Sequence, residues 1–319
     1  VCASAQIEQK LKQLQRYLNA EINWREYEAF FTHRLHDKSV HVSKALEQNF
    51  DAPQSPEERR IKQLIDDYRT AKANELEQET FRQKKRLADA ERTLQSKQTK
   101  KALNDQRIAT KKIQDNLERL TNLKRTTSEP KDATIWPFYH VPIVVNEGAG
   151  NKIVLARYHC RPEGMPVSFD RDYPGCFTAR RDSLAKFWRK QFGHRHAIMV
   201  MHSFWENVAL HDYERRELRE GELPQNIVLH FNPQPQAPMF VPCVWSQWQQ
   251  GDQPALTSFA LITDDPPEEV ATAGHNRCPI TLKLENVNAW LTPEGKTSDE
   301  LYALLDDRER PHFEQRRAA

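Results

Sequence analysis

The chain has 319 residues, 38% of them hydrophobic and 29% charged, with 47 Lys and Arg against 45 Asp and Glu and a formal net charge of +2. That length buries a sizeable core as one large domain or two, and the near-neutral balance gives no bulk-charge signature of a nucleic-acid binder. No apolar run approaches the roughly 18–20 residues of a membrane span, and the N-terminal residues are charged throughout, unlike a secretory signal.

Cys2 lies one residue from the start of the chain. Removal of Val1 as an initiator residue leaves Cys2 with an α-amine (pKa about 7.7–8.0) and a thiol (about 8.5) on adjacent carbons. Such a pair is nucleophilic near neutral pH: the amine forms a Schiff base with an aldehyde, and the thiol closes on the same carbon to give a thiazolidine. The plainer reading is an inert cysteine near a terminus. The remaining cysteines, Cys160, Cys176, Cys243 and Cys278, are scattered, which fits a reduced, cytoplasmic setting.

Ile7, Leu11, Leu14 and Leu18 share one face of a predicted helix, and Trp24, Tyr27, Phe30 and Phe31 continue the pattern. After the breaker Asp51-Ala-Pro-Gln-Ser-Pro56, Ser55 reads as an N-cap, Pro56 as the first helical residue, and Glu57 and Glu58 as first-turn acids. From there to about Arg125 there is no Gly or further Pro, and helix formers dominate. A single helix of that length spans on the order of 100 Å. A coiled-coil-like hairpin turning near Ser96–Thr99 lets two narrow apolar stripes cover each other. Arg82 to Arg125 carries 14 Lys and Arg against 5 Asp and Glu, which suits a solvated face or a DNA-contacting one.

Beyond Ser128-Glu-Pro130 aromatic and β-branched residues take over. Strands are predicted over 141–145, 152–157, 197–201, 227–231, 239–245 and 258–263, helices over 182–192, 284–291 and 298–307. The fold class is α+β: a mostly antiparallel, β-rich domain with an inserted helical hairpin. The predicted divisions are 1–54, 55–127 for the hairpin, and 128–319.

Three places in the β-rich part gather polar groups. In Cys176-Phe-Thr-Ala-Arg-Arg-Asp-Ser183, Arg180 and Arg181 at a loop-to-helix junction can hold a phosphate or pair with Asp182. In Ser203-Phe-Trp-Glu206, a carboxylate desolvated by Trp205 suits general acid–base work, and a strand-end Glu in water is the alternative. In Gly274-His-Asn-Arg-Cys-Pro279, His275 stands in a loop beside Asn276 and Arg277, either a proton-transfer group or a surface His. There is no metal-ligand spacing, no Walker loop and no G-x-G-x-x-G, so nothing points to a metal, a nucleotide or another cofactor.

Cys2 at the extreme start, the Ala-Arg loop, Phe-Trp-Glu after a strand and Gly-His-Asn-Arg-Cys-Pro before Trp290-Leu291 fall in an order that resembles the SRAP family. These are the SOS-response-associated peptidases, or abasic-site processing proteins. The family pattern is Met-Cys-Gly-Arg, Asn-Ala-Arg, Gly-Phe-Tyr-Glu-Trp and His-Asp/Asn-Arg-Met-Pro. The match covers Cys2 and roughly residues 135–292, and the helical stretch resembles an insertion in a bacterial branch beginning Cys-Tyr-Ser-Ala-Gln-Ile. The resemblance implies a DNA-damage response protein in the cytoplasm, at the nucleoid. It implies binding of single-stranded DNA, with covalent capture of abasic sites through an N-terminal Cys thiazolidine. Autoprocessing of the initiator residue and an AP-lyase activity come with it. By position, Cys2 is the implied nucleophile, Glu206 the acid–base group, His275 the group that opens the sugar ring and moves its proton, and Thr178 the residue standing where the family has Asn. Arg180, Arg181, Trp205 and Arg277 are the implied DNA contacts. Two other classes stay open: an N-terminal-nucleophile amidohydrolase, and a non-catalytic DNA-binding or adaptor protein.

Overall fold

The computed structural model describes residues 4–318; Cys2 lies outside them. The chain divides into two compact units, one of Val1–Phe30, Lys38–Ala52 and Glu129–Ala319, the other of Phe31–Asp37 with Pro53–Ser128.

The first unit opens with strand β1 (Ser4–Ile7), helix α1 (Leu11–Leu18), β2 (Ala20–Ile22), the start of α2 (Trp24–His36), and α3 (Lys44–Gln48). Leu11, Leu14 and Leu18 are the buried face of α1, which ends at Asn19 in the left-handed conformation (φ 45°). Ile7 does not belong to that helix. It lies on β1, where Ala5 and Ile7 are buried and Ser4 and Gln6 are half-exposed. The two-residue alternation of a strand decides its place, and the helical spacing to Leu11 is fortuitous.

The second unit contains α4 (Pro56–Ser96) and α5 (Lys100–Lys124). Ser55 caps α4, its hydroxyl accepting from the Glu58 N–H at 3.1 Å, with Pro56 in the first turn. Thr99 caps α5 through the Ala102 N–H at 3.1 Å. The chain reverses at 97–99, and Leu76, Thr80, Gln83 and Ala90 of α4 are buried, as are Ala102, Ala109, Asn116 and Leu120 of α5. Alanines near the reversal let the helix axes approach closely, and Arg86 pairs with Asp105 across the seam at 2.5 Å.

The rest of the first unit holds the remaining strands: β3 (Thr134–Ile135), β4 (His140–Asn146), β5 (Asn151–Tyr158), β6 (Thr178–Arg180), β7 (His196–Ala209), β8 (Asn226–Gln234), β9 (Met239–Trp248), β10 (Leu256–Asp264), β11 (Cys278–Pro279), β12 (Thr281–Leu282), β13 (Arg308–Glu309) and β14 (His312–Arg317). Its helices are α6 (Phe169–Asp172), α7 (Leu210–Tyr213), α8 (Glu268–Thr272), α9 (Leu284–Leu291) and α10 (Ser298–Asp306). β7, β9, β10, β5 and β4 pair in turn, and β4 returns to β7, so these five close on themselves. Closure satisfies edges that an open sheet would expose. Alternate residues such as Val141, Ile143, Tyr158, Met199, Val241 and Phe259 form one apolar cluster. Most pairings are antiparallel; β10 runs parallel to β5 and β6, and β2 parallel to β5. The fold is therefore α+β with a helical insertion, and its sheet is mixed.

Residues 182–192 are not the expected α-helix. A 3-10 turn over Arg181–Ser183 leads into irregular turns in which Leu184, Trp188 and Phe192 are buried. The Ser183 hydroxyl donates to the Arg180 carbonyl at 2.7 Å, and the Trp188 N–H reaches back five residues to Ser183. Phe187, whose spacing places it on the same face of the expected helix, is 41% exposed, so the spacing anticipates three of the four apolar positions while local side-chain bonding diverts the backbone.

His196 and Trp290 anchor α9 against β7. The rings stack at 3.8 Å, and the Trp290 indole donates to the Ala197 carbonyl at 3.1 Å. His196 Nδ1–H donates to the Trp290 carbonyl and Nε2 accepts from the Gly193 N–H, both at 2.9 Å, so the neutral ring is fully bonded. Burial lowers its pKa from 6.5 to about 3. Below 6.5 the unfolded chain takes up a proton that the folded chain refuses. The stabilisation is thus complete above that pH and falls by about 1.4 kcal/mol for each unit of acidification toward 3. In denaturant titrations between pH 7 and 5, His196→Gln should be less stable at pH 7 and lose less stability on acidification than the parent; equal pH slopes would contradict this role.

Candidate active site

β7 carries the site because it changes company along its length. Its first half, His196–Met201, pairs with β9. A register shift between Gln6 and Ile7 marks the change, and from Ser203 onward β7 lies between β1 and β8. Glu206 stands in this second half, opposite Leu229, on the face shared by Phe204 and Val208. Trp205 points to the other face and stacks on His230 with ring centres 4.1 Å apart and planes 4° apart. The expected shielding of Glu206 by Trp205 is therefore corrected: the apolar surroundings of the carboxylate belong to the core side of the sheet.

Glu206 is 1% exposed. A carboxylate in that position requires a polar neighbour, and His275 supplies one, with Nε2 3.0 Å from Oε2. His275 is itself 7% exposed, a buried loop residue rather than a surface one. It is aimed by the end of α8. The His275 N–H donates to the Val270 carbonyl at 3.2 Å and the Gly274 N–H to Ala271 at 2.9 Å, with Gly274 at φ +92°. This pair of bonds is a Schellman motif with Gly274 as its left-handed residue. A Cβ on Gly274 would lie 2.8 Å from Val208 Cγ1 and 3.0 Å from Asp212 Cβ, so the glycine is needed for both conformation and close approach.

The remaining ring nitrogen, Nδ1, lies 2.9 Å from the Arg277 carbonyl oxygen and 3.3 Å from the Arg277 N–H. With Nδ1–H donating to the carbonyl, the Nε2···Oε2 contact holds a proton as imidazolium–carboxylate or as imidazole–carboxylic acid. With Nδ1 accepting from the Arg277 N–H, Nε2–H donates to the carboxylate. Each of these arrangements puts a proton on the 3.0 Å contact, from which the pair can pass it to or from a bound group. A cavity of about 680 Å³ opens beside His275, with Asp212, Arg215, Asp265, Gly274 and Asn276 in its wall. Arg215, exposed and at φ +52°, is a residue that motif reading overlooked. No sequence signal marked it, because it belongs to an irregular turn after α7.

Thr178 lies on β6, 8% exposed, opposite Leu261 of β10, with its hydroxyl 3.5 Å from the Gly175 carbonyl oxygen. Arg180, two residues on, approaches Asp182 at 3.4 Å and Asp265 of the cavity wall at 3.5 Å. Arg181 turns away to α10, meeting Asp306 at 2.7 Å and Tyr302 with a cation–π distance of 5.0 Å. Arg277 holds His275 through its backbone, and its Nε is buried without a hydrogen-bond partner among the described residues. The structure thus joins Glu206 to His275 and brings Arg180 to Asp265 of the same cavity, while Arg181 is engaged in packing α10. Cys2 lies outside the described residues, of which the first, Ser4 on β1, is opposite Trp205, the neighbour of Glu206. Among the described residues no group of three or more His, Cys, Asp or Glu side chains could hold a metal ion, and no helix is long and apolar enough to cross a membrane.

A sequence profile of the SOS response associated peptidases, SRAP, matches residues 96–318. The chain belongs to the SRAP family. The family name ties it to the SOS response and so to DNA damage. No curated protein matches the chain. Among solved structures, a Bordetella bronchiseptica protein is similar at 14% identity over 59% of this chain and 87% of its own, with a TM-score of 0.44. A Bacteroides thetaiotaomicron protein is similar at 15% identity over 57% and 75%, also at 0.44. A phage-related protein of B. bronchiseptica is similar at 14% identity over 58% and 80%, again at 0.44.

Gly274→Ala should destabilise the protein by about 1–3 kcal/mol, because a left-handed backbone and a collision with Val208 coincide. Urea unfolding measures this, and an unchanged midpoint would show that the α8 terminus does not fix His275.

Proposed function

We propose that this SRAP protein captures abasic sites in single-stranded DNA through Cys2, once processing of whatever precedes it frees its α-amine. The observation that carries the proposal is the buried Glu206–His275 pair, 3.0 Å apart, on the strand that β1 joins. Cys2 precedes Ser4 by two residues, a span of at most about 7 Å, and Ser4 is paired with the residue next to Glu206. The reading is supported by this short separation in sequence between Cys2 and the strand that pairs beside Glu206.

The chemistry balances without an oxidant or a cofactor. His275 moves the proton that opens the sugar hemiacetal to its aldehyde. The Cys2 nitrogen attacks the aldehyde carbon, and the carbinolamine loses one water to form an imine, with Glu206 and His275 moving the protons. The thiol sulfur then bonds to the same carbon while its proton passes to nitrogen, closing a thiazolidine. Ring closure removes the imine that would otherwise lead to β-elimination and strand cleavage, the lyase outcome. The same Glu206 serves as general base in autoprocessing of the initiator residue. Thr178 stands where the family pattern has Asn and offers one hydroxyl where the amide offers a donor and an acceptor.

The target lacks a base, so recognition falls to phosphate and stacking contacts. Arg180, held loosely by two carboxylates at 3.4 and 3.5 Å, and exposed Arg215 suit phosphate. Trp205, already stacked on His230, presents an aromatic edge beside β1, and Arg277 lies next to the catalytic imidazole. Arg181, bound to Asp306, contributes through the packing of α10.

Incubated with a short single-stranded abasic oligonucleotide and run under denaturing conditions, Cys2→Ala should form no adduct. Glu206→Gln and His275→Ala should form it about 10²–10⁴-fold more slowly, the range of general acid–base catalysis. A full-yield adduct from Cys2→Ala would end the proposal, and parental rates from both other variants would remove the proton-transfer roles.

A further inference from the structure

The α4–α5 hairpin separates charge along its length. Between Arg82 and Lys112, around the helix reversal, there are 11 Lys and Arg and 3 Asp and Glu, an excess of eight in a chain whose whole balance is +2. The remainder of the protein is therefore net acidic. Two of the three acids are already neutralised, Asp89 by Arg92 at 3.0 Å and Asp105 by Arg86 at 2.5 Å. Lys84, Lys85, Lys97, Lys100, Lys101, Arg107 and Lys111 are all exposed, and among the described residues none has a carboxylate within ion-pair distance. A face selected for solubility mixes both signs; this one concentrates a single sign at one end of a rod.

The arrangement on α5 is regular. Lys100, Arg107 and Lys111 are spaced seven and four residues apart and so share one side of the helix. From Lys100 to Lys111 the stripe runs about 16 Å, the length of about five base pairs. Residues 84–112 contain no Phe, Tyr or Trp. Single-strand binding without sequence preference relies on aromatic platforms for bases, and this segment offers none. Phe81, 73% exposed on α4, stands just outside this stretch, so the cationic stretch itself meets a nucleic acid through charge, which matches a stiff, dense line of phosphates.

We propose that the distal end of the hairpin binds the phosphate backbone of duplex DNA. The choice of DNA rests on the DNA-directed reading of the family. The proposal adds to that reading a contact made by the helical unit itself, separate from the Cys2 chemistry. The contact is electrostatic and independent of sequence.

The test uses the full-length protein and an undamaged, labelled blunt duplex across about 0.05–0.2 M salt, where phosphate contacts dominate affinity. Replacing Lys100, Lys101, Arg107 and Lys111 with Gln removes charge and keeps good helix formers, and circular dichroism checks that helix content is retained. The expected result is a duplex affinity about tenfold or more weaker and a salt slope shallower by about three to four, near 0.9 per lost contact. A second variant, Lys84→Gln with Lys85→Gln and Lys97→Gln, should lower the slope by about two to three on the same basis. Unchanged affinity and slope in both variants would overturn the proposal, as would a loss confined to single-stranded DNA. Covalent capture of a short single-stranded abasic oligonucleotide is measured alongside and should be unaffected. Failure of capture in the parent protein would count against the Cys2 chemistry and leave the duplex measurement to stand by itself.

Discussion

A carboxylate sealed from solvent and an imidazole 3.0 Å from it form the constraint around which the candidate site is built. A buried carboxylate is costly unless it is paired or hydrogen-bonded, and His275 is one of its partners. His275 therefore has to arrive at one place in one orientation. One backbone group of Arg277, its carbonyl or its N–H according to tautomer, holds the ring, and the Schellman turn at Gly274 fixes the backbone behind it. Val208 and Asp212 close over that glycine so tightly that no side chain fits. The pair is thus held by β7, α7 and α8 together.

The closed set of five strands gives β7 a rigid root, and its far half departs from that ring to meet β1 and β8. This places Glu206 where the sheet is still apolar yet next to the strand that begins the chain. One strand therefore connects the scaffold, the Glu206–His275 pair and β1. Alternation along β7 assigns Glu206 to one face and Trp205 to the other, so the Glu206–His275 contact and the Trp205–His230 stack are kept apart by the sheet. The helical insertion obeys a different logic: its seam is narrow and small-residued, and its surface carries most of the protein's surplus positive charge.

Much of the fold could be read from sequence because the signals were local. Ser55-Pro56 and the run free of glycine beyond it announced α4, and the polar stretch at 97–99 marked the reversal. The apolar β-branched runs marked β4, β5, β7, β8, β9 and β10. Long-range pairing was hidden. Nothing near Ile7 announces that it joins β7 almost two hundred residues away, so its helical spacing misled. Leu184, Trp188 and Phe192 kept a helical period while Ser183 diverted the chain. For the site, Glu206 and His275 were visible as residue types in motifs, and their contact was not, since it depends on how α8 ends. The opposite orientations of Arg180 and Arg181 follow from Asp265 and Asp306, which are remote in sequence. Arg215 carried no motif at all.

The central claim is that one residue presents both amine and thiol to the sugar carbon. Intact-mass spectrometry of the protein, isolated from cells and then mixed with an abasic single-stranded oligonucleotide, tests it most directly. The account predicts a chain beginning at Cys2 and a stable product equal to protein plus oligonucleotide less one water. A chain that retains Val1, or a chain beginning at Cys2 that gains no mass, would contradict it.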